Sequence, residues 1–160
     1  MNKKVYVSKN KFGKGVFAKK GILKGENILK FHGSLINFRE ATAKGDKKGN
    51  PLQIKENVYF DTEPPGVFVN HSCNPNAGIK DDIKLIALKE IKKDEEVYYD
   101  YSTTMDEDDW EMECGCQATN CRKVIRDFKF LPTDLRKKYL ELEIVQEFIS
   151  KKEKKVILEL

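Results

Sequence analysis

The sequence predicts a mainly β (α+β) fold, built from small antiparallel sheets and closed by a C-terminal helix. Three observations carry that prediction. The first hundred residues break into short apolar runs separated by Gly-, Pro- and Asn-containing turns. All four cysteines fall into one arrangement, Cys73 alone and Cys114, Cys116 and Cys121 as C-x-C-x4-C. Only the C-terminal region carries a helical apolar period.

Along the chain, Val5 and Val7 alternate with polar neighbours, as in a half-buried strand. Gly13-Lys14-Gly15 reads as a turn before the apolar run Val16 to Ala18. Gly21 and Gly25 punctuate the next connection. Glu26 to Phe31 and Ser34 to Phe38 read as a strand pair around His32-Gly33. Ala41 to Asn50 is a short helix or loop. Leu52 to Ile54 and Val58 to Phe60 are two further strands, Ile83 to Leu88 has the clearest alternation, and Val97 to Tyr101 is aromatic-rich and strand-like. Asp106 to Glu113 carries six acids around Trp110 and precedes the cysteines. Pro132-Thr133-Asp134 opens a helix expected over Thr133 to Ser150, with Leu135, Tyr139, Leu142, Val145, Phe148 and Ile149 near one face. The tail beyond it extends or frays that helix.

The 160 residues, 39% hydrophobic and 35% charged, suit one folded domain with a real core. The net charge of +4 is spread along the chain, and helix-turn-helix, RNP and C2H2 signatures are absent, so direct nucleic-acid binding is not expected. No run approaches the roughly 18 apolar residues of a membrane span. The basic start, MNKKVYVSKN, has no apolar h-region, so no signal peptide and an intracellular location are expected, with specialised secretion left open. In that setting three close cysteines and one distant one favour a four-thiolate zinc site. A two-disulfide framework, or a free Cys73 nucleophile beside His71, stays open.

Four segments then line up in order: Phe12-Gly13-Lys14-Gly15 with Val16 to Ala18, Phe68 to Asn76 containing Asn70-His71-Ser72-Cys73, Glu95 to Tyr101, and Cys114 to Arg122. Together they resemble a SET-domain protein lysine methyltransferase with a zinc-binding post-SET segment. The resemblance implies a SET fold with a C-terminal pseudoknot, where the NHSC and YDY segments meet between an S-adenosylmethionine site and a narrow lysine channel. It divides the chain into a SET domain at 1–105, a post-SET zinc segment at 106–125 and a helical extension at 126–160, forming one structural unit.

By the same resemblance, Phe12, Gly13, Lys14 and Gly15 present backbone to the cofactor. Asn70 binds through its side chain and His71 through its main chain. Tyr101 is the catalytic tyrosine. Tyr99 stands at the family's phenylalanine/tyrosine switch, which implies monomethyl- or dimethyl-lysine as product. Tyr98, pointing the other way, is expected in the core. Cys73, Cys114, Cys116 and Cys121 hold a structural Zn2+. The family's additional channel tyrosine has no counterpart in Asn50 to Ile54, and Tyr59 is the nearest aromatic.

The implied partner is a basic protein or peptide, histone-like or ribosomal, attracted by the acidic run Asp106 to Glu113 unless that run is simply a solvated loop. The expected assembly is a monomer or weak dimer. The location is cytoplasmic, or nuclear for a eukaryotic or host-directed protein. A catalytically idle, zinc-stabilised protein-binding module is the competing reading, and a zinc knuckle for nucleic acid is disfavoured by the acids beside it.

Overall fold

The computed structural model describes residues 2–44 and 51–158. Its elements, in chain order, begin with strands β1 (Val5–Asn10), β2 (Gly13–Ala18), β3 (Asn27–Lys30) and β4 (Gly33–Ile36), then helix α1 (Phe38–Thr42). Strands β5 (Leu52–Lys55), β6 (Val58–Thr62), β7 (Asn70–His71), β8 (Ala77–Lys80), β9 (Lys84–Ala87), β10 (Tyr98–Tyr99), β11 (Glu111–Glu113) and β12 (Val124–Arg126) follow. Helices α2 (Thr133–Glu141) and α3 (Glu147–Leu158) close the chain. The strands form three two-stranded sheets and two three-stranded ones, with orders β3-β9-β8 and β4-β6-β5 in the latter. All pairings are antiparallel except β7 with β10. The mainly β prediction holds.

Several sequence expectations need correction. Gly13-Lys14-Gly15 is the first half of β2, paired through to Asn10, and the turn sits one step earlier at Lys11-Phe12. The segments around His32-Gly33 do not pair with each other: β3 joins β9 and β4 joins β6. Gly33 itself lies so close to the Asp61 carbonyl that an added Cβ would be 2.0 Å from it. The strand expected over Val97 to Tyr101 stops at Tyr99. Asp100 there accepts from Ser102 N–H and caps a 3₁₀ turn spanning Tyr101–Thr104. The helix expected near Ala41 to Asn50 starts earlier, at Phe38, because Asn37 and Glu40 form a reciprocal capping box. Residues 45–50 lie outside the described residues.

The helix expected over Thr133 to Ser150 is two helices. Glu143 adopts a left-handed conformation (φ 57°), which ends the first. Ile144 then plugs into β8, where a Cβ on Gly78 would come within 2.6 Å of it, and Gln146 N–H donates to Thr103 O. These contacts outweigh continued helix.

Two apolar clusters result. The larger joins the sheets and includes Val16, Ile22, Ile79, Leu85, Ile91, Val97 and Tyr99. The smaller lies under the helices, with Phe128, Leu131, Tyr139, Ile144 and Ile149. Leu135, Leu142, Val145 and Phe148 are partly buried against it, so the predicted apolar face is used, in two pieces. Among the described residues no helix is long and apolar enough to cross a membrane.

Candidate active site

The parallel pair β7–β10 sets Asn70 opposite Tyr98 and His71 opposite Tyr99. Segments some thirty residues apart thereby meet, and Ser72 N–H donates to Tyr99 O to continue the pairing. Tyr101 begins the 3₁₀ turn just beyond. Its hydroxyl donates to Val69 O at 2.7 Å, and its ring lies 4.8 Å from that of Tyr99. Burial pushes both phenols above their ordinary range, so both remain protonated donors at neutral pH.

Tyr101 borders two cavities. On one side is an open cleft lined by Phe12, Asn70, His71, Met112 and Cys114 to Cys116. On the other is a constriction with room for little more than a water, walled by Tyr59, Tyr99, Trp110, Thr104 and Glu107. Tyr101 lines both. Tyr59, which sequence position alone leaves unplaced, is thus a wall of this constriction. It arrives there from β6, whose sheet is separate from the β7–β10 pair that carries Tyr99.

His71 is buried and tied at both ring nitrogens. Nδ1 accepts from Tyr101 N–H at 3.0 Å, so the proton sits on Nε2, which lies 3.4 Å from Cys73 Sγ. Burial pushes this imidazole down to about 4, against the pull of Asp100, so it is neutral at pH 7. Its side chain joins the cysteine cluster to the Tyr101 backbone. It is not free to act as a base in the cleft.

The ligand atoms of Cys73, Cys114, Cys116 and Cys121 all lie within 4.8 Å of one another. Thiolates around a tetrahedral zinc at about 2.3 Å stand about 3.8 Å apart, and the Cys73 and Cys114 sulfurs are separated by 3.9 Å. Arg122 N–H also donates to Cys73 Sγ at 3.4 Å. A four-thiolate set with N–H donors to sulfur fits a closed structural zinc site.

Gly13, Lys14 and Gly15 do not line the cleft themselves, and Lys14 is linked to it through Asn70. Asn70 Nδ2 donates to Lys14 O at 2.8 Å and to Glu96 at 3.0 Å, while the Lys14 ammonium lies over the Phe68 ring, 4.9 Å from its centroid. Gly15 lets Glu96 close in: a Cβ there would come within 2.2 Å of Glu96 Oε1 and displace that carboxylate. Glu96 also accepts from Asn10 and from the Tyr98 hydroxyl. Tyr98 is therefore half-buried at this tie and not in the core, a correction to its expected place. Phe12 is half exposed on the β1–β2 turn, 3.7 Å from the Cβ position of Gly115, and brings that turn against the cysteine segment.

Sequence reasoning passed over the group that binds these parts together. Asp100, with no side-chain exposure, accepts from both Arg122 Nη atoms at 2.8 Å, from the Tyr139 hydroxyl at 2.9 Å and from Ser102 N–H. Arg122 follows the last cysteine, and Tyr139 comes from α2. The placement of Asp100 between two pocket tyrosines, and of Arg122 directly after Cys121, was the available signal.

The acidic run also differs from expectation. Asp106 pairs with Lys152 and Lys129, and Asp108 pairs with Lys129. Those two acids are internally neutralised and are not part of a free acidic surface. Asp109, Glu111 and Glu113 are exposed.

Residues 13–102 match the SET domain family model, and the chain belongs to that family. It is 30% identical over 136 residues to the human protein named histone-lysine N-methyltransferase 2D, covering 74% of this chain and 2% of that one. A Plasmodium falciparum variant-silencing SET domain-containing protein is 32% identical over 132 residues, covering 69% of this chain and 5% of its own length. The chain thus spans only a small part of these relatives. Among solved structures, a Polycomb Repressive Complex 2 described as autoinhibited and bound to S-adenosylmethionine matches with a TM-score of 0.57 and 23% identity, over 67% of this chain and 16% of that one. That likeness establishes the fold.

Proposed function

We propose that this protein transfers a methyl group from S-adenosylmethionine to the ε-amine of a lysine in a basic protein substrate. The observation that carries the reading is Tyr101, shared between an open cleft and a tyrosine-walled constriction. Membership of the SET family and relatives named as histone-lysine methyltransferases support it.

The chemistry asks little of the protein beyond alignment and a dry path. S-adenosylmethionine, when bound in the cleft, supplies an electrophilic methyl on sulfur. The attacking amine must be neutral. From a pKa near 10.4, neutrality at pH 7.4 costs about 4 kcal/mol, a cost lowered by desolvation between Tyr59, Tyr99 and Tyr101. Tyr101, whose hydroxyl is held on Val69 O, directs the amine toward the cleft. Phe12, Asn70 and the His71 main chain would contact the cofactor, with the Gly13-Lys14-Gly15 backbone beside them and the Lys14 carbonyl holding the Asn70 amide. Residues 1–105, 106–125 and 126–160 work as one unit, in which the zinc fixes the cleft wall through Cys114 and Cys116.

Tyr99 narrows the constriction beside Tyr101, so the product is monomethyl- or dimethyl-lysine. Histone tails are the favoured substrate class, and the reaction is intracellular. The test is incubation with labelled S-adenosylmethionine and core histones or a proteome extract, with a Tyr101→Phe control. Tyr101-dependent labelling of lysine is the expected result. Its absence would return the protein to the binding-module reading.

A further inference from the structure

The constriction contains one carboxylate, that of Glu107. Its neighbours Asp106 and Asp108 turn outward to Lys152 and Lys129, whereas Glu107 turns inward. The turn that carries it is built from buried groups. Asp127, fully buried, accepts from the backbone N–H of Glu107 at 2.9 Å and from that of Asp108. Gln53, also buried, accepts from Asp106 N–H at 2.9 Å. The Tyr59 hydroxyl then donates to Glu107 Oε1. Among the described residues Glu107 has no cationic partner, because the nearby lysines are committed to Asp106 and Asp108.

A half-buried carboxylate without a counter-ion, in a cage of Tyr59, Tyr99, Tyr101 and Trp110, suits an alkylammonium ion. We infer that Glu107 receives the ammonium of the incoming substrate lysine and accepts its proton before methyl transfer. The inference rests on the methyltransferase reading above and adds a catalytic residue to it. In the step, one N–H bond of the lysine ammonium breaks and an O–H bond forms on Glu107. The lysine nitrogen keeps the electron pair that attacks the methyl group. Glu107 is partly exposed, so it returns the proton to solvent between turnovers.

The groups facing Glu107 are Tyr59 on β6, Asp127 after β12, and the cavity phenols Tyr99 and Tyr101. Burial holds the Glu107 carboxyl above the usual carboxylate range, Asp127 adds to this, and the Tyr59 hydrogen bond opposes it. A raised carboxyl is the better proton acceptor near neutral pH.

The experiment compares wild type with Glu107→Gln, which keeps size and an acceptor for Tyr59. Single-turnover methylation of core histones is followed from pH 6.5 to 9.5. At pH 7 the variant should lose about 10²-fold or more in rate, and most of that loss should disappear toward pH 9.5 as substrate lysine deprotonates in solution. Thermal melting confirms that the variant is folded. Glu107→Ala covers the case of a Glu107→Gln variant that fails to fold, and should show the same loss at pH 7 with recovery toward pH 9.5. An active wild type with Glu107→Gln unchanged in rate and profile, or changed only in KM, overturns this role alone. So does a Glu107→Ala variant that keeps the wild-type rate at pH 7. A wild type without Tyr101-dependent transfer overturns the methyltransferase reading together with it.

Discussion

Removing the Arg122 guanidinium should expose how much of this fold depends on one buried charge. Asp100 has no side-chain exposure and Arg122 only 17%. In Arg122→Met the carboxylate loses two charge-assisted hydrogen bonds of 2.8 Å and retains only the Tyr139 hydroxyl and Ser102 N–H. Breaking one side of a buried ion pair typically costs about 3–5 kcal/mol. The partial exposure of Arg122 admits some water, which favours the lower end, about 3 kcal/mol. For a domain of this size each kcal/mol shifts Tm by roughly 2–4 °C, so Arg122→Met should melt about 6–12 °C below wild type. The double variant Asp100→Asn/Arg122→Met has no orphaned charge and should recover part of that loss. Differential scanning calorimetry on the three proteins reads the effect directly. A single variant within 2 °C of wild type (about 1 kcal/mol or less), or a double variant lower than the single, would show that the pair is not the organising charge.

Other outcomes follow from neighbouring contacts. Tyr139→Phe removes one hydrogen bond to a charged acceptor and should cost about 1.5–3 kcal/mol, read by urea unfolding. The protein should bind one zinc per chain by native mass spectrometry, and Cys73→Ser or chelation should abolish both the metal and methyl transfer, with proteolytic sensitivity appearing between residues 106 and 125. Gly15→Ala drives a methyl into Glu96, loosening its hold on Asn70, and should weaken S-adenosylmethionine binding by calorimetry while leaving zinc content unchanged. Tyr99→Phe should raise the proportion of higher methylated lysine, measured by mass spectrometry.

The elements legible in the sequence are those whose burial is local. Strand β9 shows its alternation because one face is covered, with Leu85 and Ala87 buried between less buried Lys84 and Ile86, and the cysteine spacing is read without any fold. Partner choice is not local. Nothing in Asn27–Lys30 says that it joins Lys84–Ala87 instead of the strand three residues away. Strand β8, Ala-Gly-Ile-Lys, was missed because its small residues serve close packing against Ile144 and not strand propensity. The break between α2 and α3 is likewise made by distant groups, Gly78 and Thr103.

The site follows the same division. Tyr99, Tyr101, Asn70 and the cysteines stand in recognisable strings, whereas Tyr59, Glu107 and Trp110 converge from separate strings with no shared period. The strings also conceal how the parts depend on one another. The His71 imidazole is held between Cys73 Sγ and Tyr101 N–H, and Arg122 reaches from Cys73 Sγ through Asp100 to α2. A metal that fixes Cys73 therefore fixes the ring that positions Tyr101. The same metal orients the arginine that neutralises the residue between Tyr99 and Tyr101. The cysteine cluster, Tyr101 and α2 consequently share one hydrogen-bond network. Damage to any of them should be felt first at Tyr101, before the sheets themselves come apart.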